Sequence, residues 1–535
     1  MRTLILAIQS LALLTTAAGL RSDRHPRCPN RRLSGPGPGV ESVELGGGND
    51  STYWPFQVFK SAPFNPPVWE INATGEPLAP GLIFTTPSDF SNEQIVKQPA
   101  PQIFTDQGQL VWSGPTSNST NFKWQYLHGE PTLTFARGFS TAGGNVGHGY
   151  VNISFLDTSY TYLNVLCPNF NLTIPGNETF ECQADIHESY ITDRNTLLVT
   201  AYNATPADLT AVNGSSNGWV FDCLFFELHP KTGEILFRWS ALEHVPITES
   251  HQPLRSSGSA AQPWDFFHIN SVVNVGDHYL VNSRHTWTMY YLGPQGEVAW
   301  RFNGETGGDF GPLPDGGKFR WQHHARVHNV TNTTFDMSIF NNNNQALDNS
   351  SSHPTDTLVY HLPFQPNNAT PPLLKRRLQN DQPLFADSQG SYQASLSNGN
   401  QFVTFGQLPL MKEYGPAVDG SDLRWTARAG PDGLTQLYRG FKKEWHATPS
   451  YPPSLVVLPS NETQHHGYVS WNGATDVTGW NVYEGESDEK LFHVGRVGFR
   501  GFETRFDVAC WARYVQVGAV VNGTEVKRSD VVRVG

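Results

Sequence analysis

The sequence predicts an all-β protein, a β-propeller followed by a fibronectin-III-like or immunoglobulin-like β-sandwich. Three observations lead there. Of 535 residues only 16% are charged, while 49 are Gly, 38 Pro and 15 Trp, a balance that favours short strands and tight turns over long helices. A strand–turn–strand unit closed by Trp recurs along the first 450 residues. Beyond it, residues 451–535 carry evenly spaced short apolar runs.

Residues 1–18 read as a secretory signal, with Arg2 in the positive region, a mostly apolar run from Leu4 to Leu14, and small residues at Ala17-Ala18-Gly19. That run is too short to span a bilayer, and no later stretch is long enough, so no membrane span is expected. Residues 19–50, rich in Gly, Pro, Arg and Ser, read as a flexible arm, and 51–95 as a small amino-terminal β-element. The expected propeller domain is 96–450 and the expected sandwich 451–535. With 36 Lys+Arg against 48 Asp+Glu the net charge is −12, which repels a phosphate backbone and argues against nucleic acid as a partner.

An exported, secreted chain fits two further features. Asn-X-Ser/Thr acceptors stand at Asn49, Asn72, Asn118, Asn152, Asn171, Asn177, Asn203, Asn213, Asn329, Asn332, Asn349, Asn368, Asn461 and Asn522, which predicts a glycosylated surface. The five cysteines include Cys167 and Cys182, which flank a Pro/Asn/Gly loop and are the expected disulfide. No zinc-type Cys/His spacing occurs, and no metal site or cofactor is expected.

The Trp-closed unit occurs at 104–112, 228–239 and 292–300, as in the outer hairpin of a propeller blade. A second repeat lies out of phase with it. Asp185-Ile-His187, Asp265-Phe-Phe-His268, Trp321-Gln-His323 and Gly390-Ser-Tyr-Gln393 each precede a turn and an apolar strand. Equivalent positions of successive blades converge on the propeller axis, so the three histidines are expected to face one another. One such histidine is as readily a hydrogen-bonded structural residue; three at one phase point to a site.

Common hydrolase and nucleotide motifs are missing: there is no G-x-S-x-G, no H-E-x-x-H and no P-loop. What remains is His187, His268, His323, Arg284 and Asn270, a set of cationic and amide donors with no carboxylate expected in its core. Such a set suits a tetrahedral oxyanion, and a neutral imidazole can attack sulfur or phosphorus. His285 and His324 are expected beside the site, and Arg326 in a surface ion pair.

Phe266-Phe-His268-Ile-Asn270-Ser271, Asn282-Ser-Arg284-His285 and Gln322-His323-His324-Ala325-Arg326, in that order, resemble the arylsulfate sulfotransferases in their fungal, ASST-type branch. The resemblance covers about residues 50–450. It implies a six-bladed propeller and ping-pong transfer of a sulfuryl group from a phenolic donor to a phenolic acceptor, without a nucleotide donor. By motif it makes His323 the sulfated residue, with a register ambiguity against His324. His187, His268, Asn270 and Arg284 would hold the sulfuryl oxygens, and Phe267 and Trp321 would pack against the aryl group. Two other readings stay open: a propeller enzyme of other chemistry (ester hydrolysis or secondary-metabolite conversion), and a non-catalytic glycan- or protein-binding propeller.

Overall fold

A computed structural model describes residues 44–47, 52–90, 93–141, 147–345, 353–366, 371–461 and 464–535. The expected signal and nearly all of the arm, Cys28, and the acceptors Asn49, Asn349 and Asn368 lie outside the described residues. The chain is all-β: among the described residues the α-helical content is one turn, Ala241–His244.

Four antiparallel meanders follow in chain order. The first sheet holds Ser119–Leu127, Glu130–Thr141, His148–Leu156 and Tyr162–Leu166. The second holds Ser189–Ile191, Leu197–Ala207, Gly218–Leu228 and Ile235–Ser240, and the third Ile269–Val275, His278–Ser283, Thr288–Leu292 and Val298–Asn303. The fourth runs from His323–His328 through Thr334–Asn341 and Asp356–Pro363 to Leu373–Leu378. A fifth sheet, Ser391–Gln393 to Leu423–Arg428, gains Glu70–Ala73 at its outer edge. The sixth joins Gly440–Lys443 to Leu82–Thr85, Gln102–Phe104 and Leu110–Ser113.

This sixth sheet alters the expected organisation. Strands 70–73 and 82–85 do not make an amino-terminal element of their own; each pairs with a strand hundreds of residues away, Leu423–Arg428 and Gly440–Lys443. The boundary at residue 95 therefore falls inside a sheet. Pairing of an early segment with a late one leaves no sequence signature, because register depends on which edge is free.

The first strand of most sheets packs near that of the next, the second sheet meeting the third through Leu197–Ala207 and Ile269–Val275, and Gly440–Lys443 returns to Ser119–Leu127, so the contacts close a ring. An apolar core fills each gap between neighbours, as with Phe225, Trp239, Phe267 and Tyr290 between the second and third sheets. Sheets buried on both faces need apolar residues at consecutive positions, and Thr288–Leu292 is buried throughout.

The Trp-closed hairpins are the outer pairs of their sheets, and their turn glycines, Gly108, Gly233 and Gly296, have φ of 74°, 73° and 90°, which glycine alone adopts without strain. The Trp does more than fill space. Trp239 donates its indole N–H to Gly296 O in the next sheet's turn at 3.0 Å, and Trp300 to Phe364 O at 3.0 Å. The repeat thus couples sheet to sheet.

Beyond residue 453 two further sheets, Ser454–Asn461 with Gln464–Ser470 and Glu503–Val508, and Lys490–Gly498 with Val477–Ser487, Tyr514–Val521 and Thr524–Arg528, enclose a separate core around Trp471 and Trp480. They dock on the sixth sheet, where Ser113 and Asn472 exchange hydrogen bonds of 2.8 and 2.9 Å.

Candidate active site

His268 directly precedes the first strand of the third sheet, His323 opens that of the fourth, and His187 lies two residues before that of the second. The ring of contacts brings His187 and His268, 81 residues apart in sequence, together. The His187 and His268 rings are 4.7 Å apart. His268 has φ of 53°, as Trp321 and His324 have 55° and 53°. For such bulky residues this left-handed backbone costs about 1–3 kcal/mol each, strain that clusters where side chains must be aimed.

Carboxylates stand behind the imidazoles, contrary to the expectation of a core without them. His187 Nδ1 donates to Asp185 Oδ2 at 2.6 Å, and His268 Nδ1 donates to Asp265 Oδ2 at 2.6 Å. Burial alone would raise the Asp265 carboxyl, but His268, His285 and His148 around it outweigh that and hold it well below the usual range. Burial likewise drives His268 well below the ordinary imidazole range, against the pull of Asp265. Asp265 is ionised, His268 is neutral, and its Nε2 lone pair is buried without a partner.

His323 is oriented differently. Its Nδ1 donates to Asn342 Oδ1 at 2.6 Å, and the Asn342 amide is fixed by its own donation to Ala386 O at 2.8 Å. The lone pair therefore sits on Nε2, where it accepts the Gln389 backbone N–H at 3.3 Å. Burial first, then the positive charges of Arg284 and Arg439, holds His323 well below the imidazole range. Arg284 Nη2 donates to Asp387 O at 2.7 Å, so the segment 387–389 ties Arg284 to His323. Burial lowers the Arg284 guanidinium to about 10, which leaves it charged at neutral pH.

Next to this cluster lies a buried ion network. Glu188 accepts from Lys123 at 3.0 Å, Arg326 at 2.7 Å and Arg439 at 3.3 Å. Those cations hold its carboxyl far below the usual range despite burial. Arg326 is therefore a partner in this buried network rather than in a surface pair. With three cations to one anion, it leaves positive potential beside the histidines.

Two expected site residues point elsewhere. Phe267 is fully buried in the apolar core against Trp239 and Tyr290, so its ring cannot meet a substrate. Asn270 donates to Gln322 O at 2.8 Å and accepts from Asn282 at 2.6 Å. A β-bulge between Ile269 and Ser271 turns it out of the simple alternation, and its amide holds the backbone before His323 instead of a sulfuryl oxygen. Trp321 lies at the site, its ring 5.1 Å from the Arg284 guanidinium carbon. His285 belongs to the cluster: its Nδ1 donates to Asp265 O at 2.5 Å and its Nε2 accepts from Arg284 Nη1 at 3.0 Å. His324 is buried on another side, against Phe441.

The sequence reading missed His148. It starts the third strand of its sheet, so it shares no repeat phase with the others. Its Nε2 lies 3.3 Å from Asp265 Oδ2, and its ring is 5.5 Å from His268 and 6.3 Å from His187. With Asp185 and His187, or with Asp265 and His268, it brings three metal-ligating atoms within 4.8 Å. Each of those groups contains a 2.6 Å carboxylate–imidazole hydrogen bond, shorter than the spacing of two ligands on one ion, so both read as proton-holding pairs. The cluster is deeply set. Side-chain exposure is only 5% on His187, 8% on His148 and 9% on Asp265.

The expected disulfide joins Cys167 and Cys182, Cys510 is also disulfide-bonded, and Cys223 is free and buried.

Among solved structures the chain is similar to dihydro-heme d1 dehydrogenase NirN (9% identity, TM-score 0.30, covering 82% of this chain and 79% of that one). It is also similar to the GH32 β-fructofuranosidase BmSUC1 of Bombyx mori (11% identity, TM-score 0.25, 78% and 79%). A third is the GH43 protein BlXynB of Bacillus licheniformis (8% identity, TM-score 0.27, 86% and 91%). No curated protein matches the chain. The family model Arylsulfotransferase (ASST) matches residues 123–430, over half of the sequence and all of the histidine cluster: the chain belongs to the arylsulfotransferase family and is a sulfotransferase-like enzyme.

Proposed function

We propose that the protein transfers a sulfuryl group between phenols through a sulfohistidine at His323, with no nucleotide donor. The observation that carries this reading is the Asn342–His323 hydrogen bond, which leaves a neutral Nε2 lone pair beside the Arg284 charge. In the first half-reaction that lone pair attacks sulfur, the N–S bond forms, and the S–O bond to the aryl group breaks with its electron pair on the phenolate. His187, whose Nδ1–H is held by Asp185, gives an Nε2 proton to that oxygen. An acceptor phenol then returns a proton to His187 and attacks sulfur, and the N–S pair goes back to Nε2. Arg284 neutralises charge on the sulfuryl oxygens throughout.

The scaffold we propose is a six-bladed propeller, supported by six sheets in a closed ring of contacts, with a fibronectin-III-like sandwich after residue 450. We further propose a secreted, N-glycosylated protein, on the basis of the leader and the acceptor sequons.

The test is release of phenol from a chromogenic aryl sulfate, with and without an acceptor phenol, for wild type and His323→Ala. Acceptor-dependent release that vanishes in the variant, with a sulfated His323 peptide in quenched wild type, is expected. Acceptor-independent release would make the protein a hydrolase. No release at all would remove the enzymatic reading.

A further inference from the structure

The hydrogen-bond roles at the site leave a question of supply. A sulfuryl group presents oxygens that need N–H donors. Neutral His268 has committed its one N–H to Asp265 and offers a lone pair. His323 has committed its N–H to Asn342 and must keep Nε2 for sulfur. Asn270 is committed to the backbone of Gln322. Of the residues expected to hold oxygens, His187 holds the proton for the phenol, and Arg284 is left.

Buried donors that lack any partner lie beside that arginine. Arg284 Nε is unpartnered, although Nη1 and Nη2 are bound to His285 and Asp387. Trp321 Nε1 is unpartnered as well, in a side chain only 2% exposed. The guanidinium carbon is 5.1 Å from the Trp321 ring, and Trp321 is two residues from His323. Trp287, edge-on to Trp321 at 5.2 Å, sets the plane of the indole, and His285 meets it edge-on from the other side at 5.9 Å. A buried N–H without a partner is costly to keep, and two so close together imply an acceptor that arrives with the substrate.

We propose that Trp321 is an oxyanion donor, not an aryl platform: its indole N–H and the Arg284 Nε–H together hold the sulfuryl oxygens while the group is on sulfur's way to and from His323. This rests on the transfer reading above. The donors are fixed before the substrate arrives, so they stabilise the charge that builds on the oxygens without reorganising.

Trp321→Phe and Trp321→Leu separate the two roles. A platform needs the ring, so Phe would keep near wild-type rates and Leu would not. A donor needs the N–H, so both variants are expected to lose kcat by about 10²-fold or more, with KM for the aryl sulfate changed far less. A second measurement needs no turnover: calorimetric titration of the full chain with sodium tungstate, a tetrahedral oxyanion, where Trp321→Phe is expected to weaken binding about tenfold. Melting curves of both variants check that each is folded. Wild-type transfer with an unimpaired Trp321→Phe would overturn the donor role and leave the transfer reading standing. Wild type that neither transfers nor binds tungstate would overturn both.

Discussion

His268 and Asp265 meet at 2.6 Å across a buried hydrogen bond, and the same carboxylate oxygen lies 3.3 Å from His148 Nε2. Asp265 also accepts the backbone N–H of His268 at 3.1 Å, which supports the left-handed turn that aims the ring. One side chain thus sets the tautomer, the orientation and the backbone of a histidine it precedes by three residues. The pattern is that of an ionised carboxylate fixing the tautomer of an imidazole, here one whose ring lies 4.7 Å from that of His187.

Asp265→Asn is expected to lower kcat by about 10²–10⁴-fold while the protein stays folded, because an amide can hold His268 in the wrong tautomer. Steady-state rates on an aryl sulfate, with KM fitted separately, check it. An unchanged kcat would remove Asp265 from the mechanism.

Glu188→Gln tests the neighbouring network. Replacing the carboxylate leaves Lys123, Arg326 and Arg439 buried without their common counter-charge. The cost of breaking a buried pair is about 3–5 kcal/mol, and a marked fall in Tm is expected. A Tm within a degree of wild type would show that the cations find other partners.

Acid should destabilise the fold from an unusually high pH. Buried His268 and His323 stay neutral well below 6.5, and burial takes His285 to about 3, whereas unfolded imidazoles take up protons near 6.5. Below about pH 6.5 the unfolded chain therefore binds more protons, and stability falls as pH falls. Asp265, Asp185 and Glu188, all held low, extend the loss in the same direction at lower pH. Melting temperature measured from pH 7.5 to 5 should decline steadily; a flat profile would contradict the burial of these histidines.

The Cys167–Cys182 bridge closes a 15-residue separation between the first and second sheets. Chain entropy gives such a loop about 3 kcal/mol, so the double Cys→Ser variant should melt at a clearly lower temperature than wild type. Equal Tm values would mean that the loop is held by packing alone.

What the sequence determined by itself is local. The Trp-closed hairpins and their left-handed glycines, the Asp/His segments before first strands, and the Cys167–Cys182 pair are legible because turn chemistry and strand periodicity act over a few residues. The repeat phase also brought out His187, His268 and His323. Tertiary structure decided the rest. Pairing of Leu82–Thr85 with Gly440–Lys443 depends on a free sheet edge that only the folded ring offers. Whether a side chain faces the site turned on a bulge at Asn270, on the apolar core that takes Phe267, and on the hydrogen bonds that tie His285 to Arg284 and Asp265. His148 and the two carboxylates became site residues through burial, since a buried imidazole must give its N–H to whatever oxygen the fold brings near, and no spacing in the chain records that distance.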